Sequence, residues 1–114
     1  VAAAPLPGEQ VQGLRSLAEG FVPEILDPSL LDGRYLVSSA DAIRGLRALL
    51  DREGILGGVS SGAVLVAARR VAETMDRGTL VLLLADGGWK YLSDALWTRD
   101  LAELESDAES RNWW

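Results

Sequence analysis

Apolar residues of this chain fall into short runs that predict four β-strands. The first run, Val1–Ala4, ends at a proline, and Tyr35–Val37 and Ile55–Val59 form the next two. The fourth run, Leu80–Leu84, is apolar at every position. A strand without polar alternation is typical of a parallel sheet whose two faces are both covered by helices.

Between these runs the apolar spacing changes to that of helices. Ser39 is predicted as the N-cap of a helix whose apolar positions are Ala42, Ile43, Leu46, Leu49 and Leu50. A second helix is predicted from Ser61 to Asp76, with Gly78 as its terminator. Shorter helical segments are predicted at Tyr91–Trp97 and Asp100–Asp107, and at Gln10–Leu17 within a long loop, 9–33.

Strands that alternate with helices predict an α/β fold, in which a parallel sheet carries helices on both faces. We expect residues 1–108 to form one α/β unit and residues 109–114 to form a C-terminal tail. The chain begins at Val1, inside the first predicted strand, and we therefore expect it to be part of a longer polypeptide.

Composition excludes several kinds of chemistry. The 114 residues carry a net charge of −6 without a basic cluster, which argues against binding to nucleic acid or to an anionic membrane. The sequence has no cysteine and no histidine, so disulfides, thiol nucleophiles, histidine-based triads and ordinary zinc sites are excluded. The absence of these ligand residues also leads us to expect no metal. We expect a cytoplasmic location, since no signal peptide or membrane-spanning run is visible.

The segment Gly57–Ala63 is the strongest local signal for function. Its glycines and serines, Gly-Gly-Val-Ser-Ser-Gly-Ala, stand between a predicted strand and a predicted helix. A helix that begins after such a turn presents free N–H groups and a hydroxyl to a polar or anionic ligand. A structural turn with a serine N-cap has the same sequence pattern, and this segment alone leaves both interpretations open.

Three motifs in order add a family resemblance. They are Glu19–Glu24, then Glu53–Ile55 leading into Gly58–Ala63, and then Ala85–Ser93. Together they resemble the C-terminal third of the cysteine synthase family, which are fold-type II pyridoxal-phosphate (PLP) enzymes. The stretch Trp89–Ser93 and the tryptophan-ended tail are most similar to the cysteine synthase B branch, which uses O-phosphoserine.

The resemblance implies roles for two residues. Ser60 matches the serine that bonds the pyridine nitrogen of PLP, where a neutral hydroxyl leaves that nitrogen unprotonated. Its alternative role is a plain N-cap, and Ser61 is read as a cap rather than a ligand. Arg15 would hold the substrate phosphate, because a guanidinium donates two parallel hydrogen bonds to it. Its alternative is a solvated arginine.

Two charged residues of the third motif receive structural interpretations. Lys90 is the only lysine, but it does not match the Schiff-base lysine, which the resemblance places in the N-terminal part of the family. We therefore expect Lys90 at the surface or just behind the residues that contact the ligands. Asp86 could serve as a general base, but a carboxylate bonded to the amides of Gly87 and Gly88 is the favoured interpretation.

Trp113 and Trp114 end the tail after an acidic segment. The resemblance implies an active-site lid that shields the site from water, whereas packing on the parent domain is the alternative. Trp114 stands where a smaller residue is expected, which leaves the fit of the lid open.

The expected function is thus the C-terminal portion of a PLP-dependent cysteine synthase that makes L-cysteine by β-replacement on O-phosphoserine. The resemblance also implies a homodimer and a sulfur-carrier protein with a C-terminal thiocarboxylate as partner. We expect the chain to be inactive alone, because the Schiff-base lysine is absent. The alternatives are an O-acetylserine sulfhydrylase, a cystathionine β-synthase-like enzyme, or a non-catalytic anion-binding module.

Overall fold

The computed structural model describes residues 1–17, 20 and 22–110. Two strands, β1 (Ala2–Pro5) and β2 (Arg34–Val37), precede three helices. The helices are α1 (Ser39–Glu53), α2 (Val59–Ala72) and α3 (Leu101–Ser110). Single 3-10 turns lie at Pro28–Leu30, Gly88–Tyr91 and Ala95–Trp97. Within the described ranges, none of the helices combines the length and the apolar composition that a membrane span requires.

The two strands form a parallel pair, in register from Ala2 opposite Arg34 to Pro5 opposite Val37. Parallel strands need a long crossover between them, and residues 6–33 provide it. This arrangement confirms the predicted α/β class with a parallel sheet and accompanying helices.

Helix α1 begins and ends at residues suited to those positions. The hydroxyl of Ser38 accepts a 3.0 Å hydrogen bond from the Asp41 N–H, so the N-cap is Ser38 and the prediction of Ser39 was wrong by one residue. At the other end, Gly54 adopts a left-handed conformation with φ 66° and donates to the Leu49 and Leu50 carbonyls. The predicted helix itself is confirmed.

Helices α1 and α2 cross in backbone contact at two glycines. A Cβ added at Gly45 would collide with the Gly62 carbonyl, and one added at Gly62 would collide with the Ala42 carbonyl. Because no side chain separates the two helices there, α1 fixes the position of the first turns of α2.

The core lies where α1 and α2 meet β2 and α3. Ile43, Leu46 and Val59 are fully buried, and α3 adds Leu104 and Ala108 to the same cluster. The remaining buried members are Val11, Val37, Ala42, Ala63, Ala67 and Leu96.

Several predicted elements are absent or different. Residues 55–59 and 80–84 are not strands, and Val81 and Leu83 are 93% and 83% exposed. The segment 10–17 contains a turn at residues 12–13 rather than an α-helix, and residues 91–97 contain short 3-10 turns instead of one α-helix. A strand needs a neighbour to pair with, and the apolar run at 80–84 has no ladder partner among the described residues.

Candidate functional site

Two glycine turns that are thirty residues apart in sequence meet in the fold. Gly57 and Gly87 form an antiparallel bridge. On either side of it, the Gly88 N–H donates to the Leu56 carbonyl at 2.9 Å and the Gly58 N–H donates to the Asp86 carbonyl at 3.0 Å. The structure thus places the Gly87–Gly88 turn beside the start of α2.

Helix α2 starts without a side-chain cap. Gly58 occupies the N-cap position and Ser60 and Ser61 lie in the first turn, so neither serine is the N-cap that was considered for it. The first turn carries no acidic residue. The positive end of the helix dipole and the N–H groups that no described residue accepts from therefore favour a polar or anionic partner.

The two serines have different surroundings. The Ser61 side chain is fully buried, and its hydroxyl has no hydrogen-bond partner among the described residues. Ser60 is 6% exposed and faces the crossover loop. Of the two serines, only Ser60 retains some solvent exposure, so its hydroxyl is the one that a ligand at this helix start could reach.

Gly13 brings the crossover loop against Ser60. Gly13 has a φ of 82°, which favours glycine, and a Cβ there would lie 3.3 Å from the Ser60 hydroxyl oxygen. The loop that carries Arg15 thus packs on the first turn of α2, and the two predicted ligand-binding residues lie on neighbouring elements.

The same loop is anchored to the start of α1. The Glu9 carboxylate accepts a 2.7 Å hydrogen bond from the Ser39 N–H, and the Ser39 hydroxyl donates to the Gln10 carbonyl at 2.8 Å. Val11, 2% exposed, inserts into the core immediately afterwards. A carboxylate at a helix N-terminus is stabilised by the helix dipole, so these contacts hold the loop beside both helix starts.

A cavity of about 430 Å³ follows this loop, and Arg15 lies in its wall. The other lining residues are Pro5, Glu9, Gln10, Val11, Gln12, Gly13, Leu14 and Ser16. Apart from Glu9 and Arg15 the lining carries no charge. The lining is therefore mostly polar, with one carboxylate and one guanidinium.

Asp86 does not bond to the Gly87 and Gly88 amides, and that prediction was wrong. Its Oδ2 accepts a 2.8 Å hydrogen bond from the Tyr91 hydroxyl and lies 3.6 Å from Lys90 Nζ. Its Oδ1 is buried without a partner among the described residues. The hydrogen bond to Asp86, followed by burial, raises the pKa of Tyr91. The Lys90 side chain is 58% exposed, as expected for a surface residue.

Sequence reasoning missed two residues of this region. Glu9 and Gly13 fall inside or beside the stretch that was predicted to be helical. Gly13 was the available signal, since a glycine at the centre of a short helical pattern breaks it. Glu9 carried no signal, because its partner Ser39 lies thirty positions away. Trp113 and Trp114 lie outside the described residues.

In this α/β unit a helix begins after glycines beside a polar loop, an arrangement that is able to bind small polar or anionic ligands. Comparison with known proteins identifies the relatives of the chain. Over most of its length the chain is homologous to a part of the cysteine synthases. No protein-family model matches the chain.

Two relatives and one solved structure illustrate the similarity. The chain is 38% identical over 88 residues to a cysteine synthase of Buchnera aphidicola, covering 75% of the chain and 27% of that protein. It is 34% identical over 111 residues to cysteine synthase A of Escherichia coli, covering 92% of the chain and 34% of that protein. The structure of an O-ureido-L-serine synthase matches with a TM-score of 0.71 and 32% identity, covering 91% of the chain and 37% of that structure. The chain thus spans about a third of the length of these proteins.

The start of α2 fits the ring end of PLP, the cofactor that the resemblance implies. A pyridine nitrogen accepts a hydrogen bond, and Ser60, which is 6% exposed, offers a hydroxyl in the first turn of α2, where no side chain of the described residues caps the helix. Lys90, the only lysine of the chain, is paired with Asp86 at the surface.

Proposed function

We propose that this chain is the portion of a PLP-dependent cysteine synthase that holds the ring of the cofactor and the activated serine substrate. The observation that carries the proposal is the contact between Gly13 and Ser60, since it joins the Arg15 loop to the uncapped start of α2. The homology over 92% of the chain to a cysteine synthase supports the same reaction.

Ser60 would orient the cofactor ring through its hydroxyl. Bound PLP would supply the electron sink that lets an activated serine lose the leaving group on its Cβ. A neutral hydroxyl donates to the ring nitrogen without transferring a full proton, whereas a carboxylate would stabilise the protonated ring. A neutral hydroxyl at this position suits β-replacement, because that reaction needs only brief stabilisation of negative charge before the leaving group departs.

Arg15 would bind the leaving group of the substrate, and we propose O-phosphoserine as that substrate. A guanidinium in the wall of a small polar cavity binds a phosphate through two parallel charge-assisted hydrogen bonds. An acetyl or ureido group carries no negative charge and gains less from that partner. The cysteine synthase B branch is therefore the proposed placement.

The isolated chain is proposed to be catalytically inactive. Lys90 is the only lysine, and its pairing with Asp86 is the arrangement of a surface ion pair rather than of a nucleophile facing the Ser60 hydroxyl. In the complete enzyme we further propose a homodimer, a cytoplasmic location, and a sulfur-carrier protein with a C-terminal thiocarboxylate as donor. The tail from 109 to 114 would close the site through Trp113 and Trp114.

The test compares O-phosphoserine with O-acetylserine as substrates of the complete polypeptide that carries this sequence. We expect a higher kcat/KM for O-phosphoserine. Arg15→Ala should lower it about 10- to 100-fold, the loss that corresponds to a hydrogen-bonded charge of about 1.5–3 kcal/mol. Arg34→Ala, which removes another exposed arginine, is the matched control and should leave kcat/KM unchanged.

Other outcomes would separate the alternatives. A preference for O-acetylserine that Arg15→Ala leaves intact would retain the cysteine synthase reaction and overturn the phosphate assignment. Binding of PLP without turnover of either serine derivative would favour the cystathionine β-synthase-like alternative, to be tested with homocysteine as nucleophile. Absence of PLP binding would overturn the enzymatic proposal and favour an anion-binding module.

A further inference from the structure

The carboxylate of Asp86 lies at the start of α2, although it belongs to another segment of the chain. A Cβ added at Gly58, the N-cap residue of α2, would collide with Asp86 Oδ1. The Gly58 N–H also donates to the Asp86 carbonyl at 3.0 Å. Ser60 follows Gly58 by two residues, which is about 3 Å along the helix axis. Asp86 is therefore a close electrostatic neighbour of the hydroxyl to which the proposed function assigns the cofactor ring.

The contacts of the Asp86 carboxylate neutralise its charge only weakly. The Tyr91 hydroxyl donates to Oδ2 at 2.8 Å, but a phenol is neutral and leaves the negative charge in place. Lys90 Nζ lies 3.6 Å from the same oxygen, and the lysine side chain is 58% exposed, so water weakens this ion pair. Oδ1 is buried and has no partner among the described residues. The carboxylate thus keeps a negative charge beside the start of α2.

This charge changes what the helix start can bind. The start of an uncapped helix ordinarily attracts an anion, because its dipole places about +0.5 elementary charge there. The full negative charge of Asp86 exceeds that half charge. Ser60 is only 6% exposed, so water screens the repulsion of a second anion poorly. A neutral acceptor, such as a pyridine nitrogen, does not meet this repulsion.

The neighbouring loop carries the opposite charge. Arg15 lies in the wall of the loop cavity, and the same loop packs on Ser60 through Gly13. Two adjacent places therefore differ in sign, with a guanidinium at one and the Asp86 carboxylate behind the other. Electrostatic selection of this kind acts by repelling the wrong group as well as by attracting the right one. An anionic group is directed to the loop and a neutral acceptor to the helix start.

We propose that Asp86 is a specificity-determining residue that excludes anions from the start of α2 and so reserves the Ser60 hydroxyl for a neutral acceptor. Asp86 acts through its charge, across Gly58, and not through contact with the ligand. The inference rests on the proposed function only for the identity of that acceptor, the ring nitrogen of PLP. The exclusion of anions is measurable without PLP.

The experiment measures the binding of inorganic phosphate to the complete polypeptide that carries this sequence. Every protein compared carries Arg15→Ala, so that the phosphate site proposed at Arg15 does not contribute. Equilibrium dialysis without PLP gives the phosphate affinity, and competition against PLP, followed by tryptophan fluorescence, shows whether phosphate occupies the cofactor site. Asp86→Asn removes the charge at nearly constant size, and Asp86→Ser is a second variant without the charge. Glu73→Gln, the matched control, removes a charge at the other end of α2, about 20 Å away.

We expect both Asp86 variants to bind phosphate about five- to tenfold more tightly than the reference protein, and phosphate to compete with PLP correspondingly better. Glu73→Gln should stay within about twofold of the reference, because salt screens a charge at that distance. Tyr91→Phe, which removes the hydrogen bond but keeps the Asp86 charge, should also leave phosphate binding unchanged.

Circular dichroism checks that each variant is folded. Unchanged phosphate binding in both folded Asp86 variants would overturn the proposal, as would equal tightening in Glu73→Gln or in Tyr91→Phe. Failure of the reference protein to bind PLP, together with the expected phosphate results, would contradict the proposed function and still support the exclusion of anions by Asp86.

Discussion

The hydroxyl of Tyr91 donates a 2.8 Å hydrogen bond to Asp86 Oδ2, while the other oxygen of the same carboxylate lies against Gly58 at the start of α2. One carboxylate thus connects the 3-10 turn at Gly88–Tyr91 with the helix start that carries Ser60. Since Gly58 also donates its N–H to the Asp86 carbonyl, the two segments form a single packed unit.

Gly58→Ala tests this packing. A Cβ at Gly58 would collide with the Asp86 carboxylate, and alanine is also a poorer N-cap than glycine. We expect a loss of about 1–3 kcal/mol in the free energy of unfolding, the usual cost of overpacking. Urea unfolding measures it. Gly33→Ala is the control, because a Cβ at Gly33 meets nothing within 4 Å. Equal stability of the two variants would contradict the contact.

Tyr91→Phe tests the hydrogen bond through the pH dependence of stability. The bond to Asp86 and burial raise the pKa of Tyr91 above its ordinary value of 10.0. A raised folded-state pKa gives a stabilisation that is complete below pH 10 and is lost as pH rises through the folded-state pKa. Wild type should therefore lose more stability than Tyr91→Phe above pH 10, measured by urea unfolding across that range. Tyr35 is present in both proteins, so its titration cancels. Parallel curves would refute the shift.

Glu9→Ala tests the anchor of the crossover loop. The substitution removes the acceptor of the Ser39 N–H and a negative charge at the start of α1. We expect a loss of about 1–2 kcal/mol in the free energy of unfolding. Hydrogen exchange should also become faster for the loop amides near Gly13. Glu24→Ala, which removes an exposed carboxylate elsewhere in the loop, is the control and should change neither quantity.

Ser61→Ala should stabilise the chain, in contrast to most substitutions of a buried residue. Its hydroxyl is buried without a partner among the described residues, and alanine also has the higher helix propensity. We expect the free energy of unfolding of Ser61→Ala to rise by up to about 1 kcal/mol, measured by thermal unfolding. Ser39→Ala, which removes the 2.8 Å bond to the Gln10 carbonyl, should lose about as much. Destabilisation by Ser61→Ala would show that this hydroxyl has a partner.

Local chemistry explains which parts of the fold the sequence predicted well. Helix α1 has apolar positions at helical spacing, a serine at its start and a glycine at its end, so it was predicted to within one residue at its cap. The first strand and β2 were also predicted, because prolines, glycines and β-branched residues mark them. These signals act within a few residues and do not depend on the rest of the molecule.

The wrong predictions concern segments whose structure depends on distant partners. Leu80–Leu84 has the composition of a strand, but a strand also needs hydrogen bonds from a neighbouring strand, and the described residues offer it none. Asp86 was expected to bond to the adjacent glycine amides. Its carboxylate instead accepts a hydrogen bond from Tyr91, five residues later, and the Gly88 N–H donates to the Leu56 carbonyl. The roles of Ser60 and Arg15 in ligand binding remain predictions.

The bridge between Gly57 and Gly87 also has a topological consequence. It closes a ring of backbone that contains the whole of α2 and residues 80–84. Two hydrogen bonds, between Leu56 and Gly88 and between Gly58 and Asp86, hold this ring closed. The residues from 73 to 79 in this ring are all exposed. After a cut in that link, the bridge would still hold the second piece of the chain against the first. The crossing at Gly45 and Gly62 would still hold α2 against α1. This link is accordingly the place to open the chain for a circular permutation or an inserted reporter.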